Sequence, residues 1–290
     1  MIELRTIAQL TCGRIGTFDV PCPLCSPLRH SPVNRRRPVL RVWQLEPGFA
    51  TYFCARCGEK GYGRDNATPK PDPAKVARAR QEAAQREREA STERLRMALW
   101  LWSQRKPIAG GPAEGYLRDA RGYHGVLPAT LGFLPARGEC PAAMIAAFGF
   151  AVELEPGVIA IGESAIRGVH LTRLKPDGSA KAGTDADKIM IGFSAGVPIV
   201  LAPVNDLCGL AITEGIEDAL STSMATGLGC WAAGCASRLP ALAAAIPSYV
   251  EALTVCAHSD EAGQRGARDL ADALSKRAIE VRVSPRGYAR

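Results

Sequence analysis

The sequence predicts an α/β protein whose parts differ in kind, and three observations carry that reading. Two tight cysteine pairs, Cys22-Pro-Leu-Cys25 and Cys54-Ala-Arg-Cys57, bracket a hairpin near the start. The run from Ala74 to about Arg105 contains no Pro or Gly and is mostly Ala, Arg, Glu and Gln, which predicts one long helix. Beyond Asp206, apolar runs alternate with helical segments, the order that produces right-handed crossovers and a parallel sheet. At ~150 residues per domain, 290 residues leave room for about two domains. The expected division is a β-rich cysteine module over 1–66, a linker and long helix over 67–106, an α+β basic subdomain over 107–206 and a parallel-sheet α/β domain over 207–290.

In the first module, Val39, Arg41, Trp43 and Leu45 alternate with Leu40, Val42 and Gln44, and Glu46-Pro47-Gly48 turns the chain into Phe49 to Phe53. Three prolines between Ala67 and Pro73 predict an extended linker. The long helix is polar all round for two thirds of its length, with Glu82 and Arg86 paired at i, i+4. Leu95, Ala98, Leu99 and Trp102 then fall on one face, so only its last turns can dock on a core. In the middle of the chain, short helices are expected at Ala113 to Ala120 and Pro141 to Phe148. A hairpin is expected from Gly168 to Leu174 through the turn Lys175-Pro-Asp-Gly178, with strands at Lys188 to Gly192 and Val197 to Leu201. The last quarter reads as strands at Leu210–Thr213, Gly229–Ala233, Leu253–Ala257 and Glu280–Val283, separated by helices at Ile216–Thr226, Ser237–Ala244 and Ala262–Arg277.

Charge is unevenly spread. Up to Lys106 there are 20 Lys and Arg against 10 Asp and Glu, and after it 16 against 19. A local excess of that size suits a phosphate-rich partner such as nucleic acid, with a merely soluble basic surface as the competing reading. No apolar run approaches the ~18 residues of a membrane span, and the start MIELRTIAQL lacks the pattern of a secretory leader, so a cytoplasmic protein is expected. In that compartment ten cysteines argue for metal rather than disulfides. Two CxxC pairs on either side of a hairpin are the layout of a zinc ribbon, four thiolates closing a tetrahedral structural site of Cys22, Cys25, Cys54 and Cys57. His30 and Cys12 are the nearby alternative ligands. Cys12, Cys140, Cys208, Cys230, Cys235 and Cys256 read as small buried hydrophobes.

Beside the cysteines stand Arg35, Arg36, Arg37 and Arg41, with Trp43, Phe49, Tyr52 and Phe53 on the hairpin. Arginines that track phosphates next to rings that stack on bases suit a single-stranded nucleic acid; the alternative is that these rings are the module's small core. In the parallel-sheet region, Leu210-Ala-Ile-Thr-Glu214-Gly215 and Leu253-Thr-Val-Cys-Ala-His258-Ser-Asp260-Glu261-Ala-Gly263 each end a strand with carboxylates. Both ends open on one edge of a parallel sheet, so Glu214 and Asp260 can converge on a divalent cation, leaving room for substrate phosphates. Acids at strand ends also serve as helix N-caps, the competing reading for Asp260 and Glu261.

The segments ITEGIEDAL and HSDEAGQRGA resemble the two signature motifs of Toprim domains, and CPLC and CARC resemble the zinc-binding module of DnaG-type and phage primases. AEGYLRDARG, GVHLTRLKPDGSAK and KIMIG resemble the basic subdomain that precedes Toprim in phage and plasmid primases. The resemblance implies a bacterial, phage or plasmid DNA primase that makes short RNA primers on single-stranded DNA from ribonucleoside triphosphates. Zinc would be structural and Mg2+ or Mn2+ catalytic. It implies that Glu214 acts in acid/base chemistry or metal positioning, that Asp260 is the second aspartate of the DxD motif, and that Lys188 lines the template and nucleotide channel. Arg118, Arg121 and Arg173 would be its companions. His258 stands where the motif has its first aspartate; a neutral imidazole suits transition metals better than magnesium, so either another acid such as Asp218 joins Glu214 and Asp260 at the metal, or the site favours manganese, or polymerase activity is weakened. A non-polymerising accessory or recombination protein built from the same modules is the alternative, and a Toprim nuclease a third reading. No GxxxxGK[ST] loop is present, so a helicase partner would be a separate chain.

Overall fold

The four-stranded antiparallel sheet near the N-terminus follows the alternation of its sequence. The computed structural model describes residues 2–29, 31–65 and 73–285, and the chain divides into two units, Met1–Glu89 and Ala90–Arg290. In the first, helix α1 (Leu4–Thr11) precedes β1 (Gly16–Val20), the short α2 (Pro32–Arg36), β2 (Leu40–Glu46), β3 (Phe49–Cys54) and β4 (Lys60–Arg64), with the strands side by side in that order. The expected hairpin is β2–β3, in which Leu40 faces Cys54, Arg41 faces Phe53 and Val42 faces Tyr52. Gly48 supplies the positive φ of 79° that its turn requires. Leu40, Val42, Ala50, Tyr52 and Cys54 turn inward on Ile2 and Ile7. Tyr52 is therefore core: its hydroxyl accepts a hydrogen bond from the Ile2 amide at 2.7 Å. The Pro-rich linker and His30 fall largely outside the described residues.

Helix α3 (Pro73–Ser103) runs as the composition predicts, and the division between units falls within it. Its last turns bury Ala98 and Trp102 against Ile145, Ala147, Ile166 and Val169, with Leu99 packed alongside. Those turns are structurally part of the second unit. There follow α4 (Pro112–Arg118), β5 (Leu131–Leu134), β6 (Ala143–Gly149), the hairpin β7 (Val152–Glu155) and β8 (Val158–Ala160), β9 (Ile166–Arg173), β10 (Lys188–Gly192) and β11 (Ile199–Ala202). The chain continues with β12 (Gly209–Thr213), α5 (Ile216–Thr226), β13 (Gly229–Ala232), β14 (Ala252–Ala257), α6 (Glu261–Leu274) and β15 (Glu280–Pro285). Among the described residues, nine strands form one sheet in the order β10-β9-β6-β11-β13-β12-β14-β15, with β5 also on β6. Strands β13, β12, β14 and β15 are parallel, as the alternation predicts. Strand β11 pairs antiparallel with β13 and parallel with the end of β6, and so joins that set to the antiparallel β5, β9 and β10.

Three expectations are corrected. The run Pro141 to Phe148 is not a helix: it contains strand β6, buried along its whole length, which leaves no polar face for a helix to present, and this outweighs the helix propensity of its alanines. Ser237 to Ala244 is two 3-10 segments, Ala236–Arg238 and Pro240–Ala245; Pro240 has no N–H to donate, and an α-helical ladder cannot pass it. Of the six single cysteines, Cys230 and Cys256 are buried, but Cys12 and Cys140 are exposed and Cys208 and Cys235 are half-buried. Cys12 and Cys208 stand at positive φ, and neither is a core residue.

Candidate functional site

The four paired cysteines converge. Cys22 and Cys25 lie in the turn after β1, Cys54 ends β3 and Cys57 lies in the turn before β4. In each pair the amide four residues after the first cysteine folds back on its carbonyl, Ser26 N to Cys22 O at 3.0 Å and Gly58 N to Cys54 O at 2.9 Å. The sulfurs of Cys22 and Cys57 are 3.9 Å apart and those of Cys25 and Cys54 3.8 Å. A tetrahedron with Zn–S bonds of about 2.3 Å has edges of about 3.8 Å, so the donor set and its spacing both fit zinc. Burial, with the neighbouring sulfurs, pushes the Cys25 thiol up to about 12, so its thiolate needs a cation beside it. Cys12 lies outside this group.

On the other face of the sheet, Asp19, Arg41, Phe53 and Lys60 stand directly opposite one another in successive strands, and Thr17, Trp43, Thr51 and Tyr62 form the next row. Phe53 is 43% exposed and Tyr62 59%, with Phe49 beside Tyr62 at 6.1 Å between ring centroids; Trp43 is half-buried. Arg35, Arg36 and Arg37 are exposed at and just after α2. Arg41 is engaged: it forks onto Asp19 at 2.8 and 2.9 Å and lies 3.8 Å from Glu87.

In the second unit, Glu214 follows the last residue of β12, and His258 and Asp260 follow β14 in the neighbouring parallel strand. Glu214 is buried and accepts from the His258 amide at 3.1 Å. The carboxylate packs so closely on α6 that a Cβ at Gly263 would stand 2.5 Å from its Oε1, a reason for glycine in a helix that the sequence reading did not single out. The His258 ring lies between two acids, with Nδ1 3.6 Å from Glu214 Oε2 and Nε2 2.9 Å from Asp218 Oδ2. The hydrogen bond to Asp218 raises the His258 pKa against the opposing effect of burial, and Glu214 and Asp260 add to it. Asp260 caps α6, accepting from the Gly263 amide at 2.8 Å, while Glu261 is exposed and pairs with Arg265. Glu214, Asp218 and Asp260 thus gather at one sheet edge, but among the described residues only the four cysteines bring three or more ligand atoms to one point. The carboxylate oxygens suit a hard divalent ion; the imidazole occupies the space where Glu214 and Asp218 would share it.

Glu217, one residue before Asp218, looks the other way, toward Lys181 Nζ at 3.3 Å, Lys188 Nζ at 3.8 Å and the Tyr116 hydroxyl, which donates to it at 2.8 Å. Burial by itself would raise this carboxyl, but Lys188 and Lys181 hold it at about 2. Neither Glu217 nor Lys181 nor Tyr116 stood out in the sequence. Arg121 donates to the Tyr116 oxygen at 2.9 Å. Arg118 is spent within the fold, on the carbonyls of Tyr123 and Gly125 and on Glu114. Arg173 ends β9, apart from this group, on the rim of an apolar groove with Trp100 and Arg137.

Residues 209–286 match the Toprim domain family, and residues 92–201 match a domain of unknown function (DUF7146). A comparison with curated proteins gave no match. Among solved structures the chain is similar to the primase fragment of the bacteriophage T7 primase-helicase protein, at 12% identity over 94% of this chain and 92% of that one, TM-score 0.37. It is also similar to the Aquifex aeolicus primase (zinc-binding and RNA polymerase domains), at 14% identity over 98% and 78%, TM-score 0.39. A DNA primase domain from Pseudomonas aeruginosa aligns at 11% identity over 56% and 50%, TM-score 0.33. No helix among the described residues is long and apolar enough to cross a membrane. The parallel strands, the carboxylates at their ends and the family match agree: residues 209–286 are a Toprim domain, C-terminal in the sequence to a four-cysteine unit.

Proposed function

We propose that the protein is a DNA primase that joins ribonucleotides into short primers on single-stranded DNA. The observation that carries the reading is the combination, on one chain, of a four-thiolate unit with a basic and aromatic sheet face and a Toprim carboxylate centre flanked by lysines. Zinc in the first unit would be structural. Glu214, Asp218 and Asp260 are the residues that would hold Mg2+ or Mn2+, whose chemistry is to neutralise the triphosphate and lower the pKa of the attacking hydroxyl. In the transfer, the primer 3′-oxygen bonds to the α-phosphorus, the α–β phosphoanhydride bond breaks, pyrophosphate leaves, and a carboxylate such as Glu214 takes the hydroxyl proton. Lys188 and Arg121 would line the nucleotide channel, while Arg173 lies apart on another groove and Arg118 serves mainly to fix the local fold. Incubating the protein with single-stranded DNA, labelled ribonucleotides and either metal should yield alkali-labile oligomers. Binding of DNA without any such product would favour the accessory-protein reading.

Two further outcomes are expected. His258→Asp removes the ring from between Glu214 and Asp218 and adds a hard ligand, so primer synthesis should rise more in magnesium than in manganese. Loss of activity in both metals would make His258 a working group of this protein. Removing residues 1–89 takes away 16 Lys and Arg against 9 Asp and Glu. Affinity for single-stranded DNA should fall and log K against log[salt] should flatten, as fewer counterions are released. The cut belongs at Glu89, since Trp102 is part of the second unit's core.

A further inference from the structure

We propose that Glu217 is a positioning residue: backed by Tyr116, it holds the ammonium groups of Lys181 and Lys188 together as a seat for the phosphate chain of a nucleoside triphosphate. The inference deepens the primase reading and rests on it for the identity of the substrate. Glu217 stands on the first turn of α5 with its side chain 15% exposed. Three separate elements close on it. Lys181 comes from the segment after β9, where it bridges Leu174, Lys188 from the start of edge strand β10, and Tyr116 from α4.

The charges do not balance within this group. One carboxylate faces two ammonium ions, and the Arg121 guanidinium lies behind Tyr116. The pairing also leaves donors over. Lys188 Nζ stands 3.8 Å from Glu217, beyond hydrogen-bond reach, and Lys181 Nζ, at 3.3 Å, can direct only one of its N–H groups at the carboxylate. Each ammonium carries three N–H donors. Two cations gathered on one carboxylate with unmet donors, their side chains 29% and 41% exposed, match an anion with several oxygens in a row. Glu217 itself makes no contact with such an anion; it offsets the repulsion between the lysines and sets where they stand. Because Asp218 follows it directly on α5, the helix that presents the metal-side acid also fixes the lysines.

The test uses the whole chain and inorganic tripolyphosphate, titrated calorimetrically without divalent metal. Lys181→Met and Lys188→Met should each weaken binding by about 10-fold, and unchanged affinity in both would overturn the seat. Glu217→Gln should leave tripolyphosphate affinity equal or higher, because a competing anion is gone, while kcat for primer synthesis falls by about 10-fold or more and KM for nucleotide changes little. Glu217→Asp should recover part of the loss. A Gln variant with wild-type kcat would end the positioning role, and so would one whose thermal midpoint and tripolyphosphate binding both collapse, which is the signature of a purely structural residue. Side-chain 15N spectra give a readout independent of catalysis. Two restrained lysine ammonium signals, assigned by their loss in Lys181→Met and Lys188→Met, should be present in the wild type and absent in Glu217→Gln. If the chain makes no primers at all, the primase reading fails, while the spectra and the titration still decide for or against the seat.

Discussion

Glu214→Gln is expected to reduce primer synthesis by about 100-fold or more and to leave single-stranded DNA binding and folding unchanged. The amide keeps the size and shape of the carboxylate, and its oxygen can still accept from the His258 amide, so the packing against Gly263 is preserved. What disappears is the negative charge, which a divalent ion and a proton transfer both require. The residue is buried at the end of a central strand, where the low dielectric magnifies the loss. Steady-state primer synthesis, a thermal melt and a DNA-binding isotherm on the same preparation check the three parts separately. Full activity in the variant would remove the Toprim carboxylate from the mechanism.

How far this centre could be read in advance depends on which forces place each residue. Glu214, His258 and Asp260 were legible because a strand that ends in a carboxylate before a helix fixes the carboxylate's edge through topology alone. Asp218 was legible as a neighbour on the next helical turn. Glu217 was not: its role comes from lysines and a tyrosine that are 29 to 101 residues away in sequence, and no local period encodes that meeting. The same limit explains strand β6. Its alanines favour helix locally, but neighbours on both edges and both faces make it a buried strand, and small side chains let Trp102 of α3 pack close beside Ala147. The four cysteines are the opposite case, since the chemistry of their spacing leaves one arrangement that satisfies them. On the nearby sheet face the sequence suggested four aromatics for stacking, and the pleat divides them: Tyr52 goes to the core while Phe53 faces outward, joined by Tyr62, which alternation within β4 places in the same row as Trp43.

Cys54→Ser should abolish the single tightly bound zinc expected per chain and unfold the N-terminal unit while the second unit keeps its structure. Cys54 is completely buried at the end of β3, opposite Leu40, with its sulfur 3.8 Å from that of Cys25. A serine hydroxyl stays protonated near neutral pH and cannot replace the thiolate. The loss is large because the unit has little else to hold it: its buried apolar residues are few, and a core of that size supplies about 3–5 kcal/mol at best. Structural zinc contributes an apparent 10–16 kcal/mol in small zinc-binding peptides, roughly, so removing one ligand takes away more than the core can offset. The second unit has its own clusters of buried residues around the nine-stranded sheet and does not draw on the cysteines. Elemental analysis should therefore fall from one zinc to near none, and limited proteolysis should degrade the segment before Glu89 while a fragment beginning near Ala90 survives. Cys12→Ser, an exposed position outside the cluster, should change neither measurement. Freshly purified, reduced wild-type protein without zinc would contradict the assignment outright. A Cys54→Ser protein that keeps both its zinc and its protease resistance would overturn the assignment of Cys54 as a required ligand.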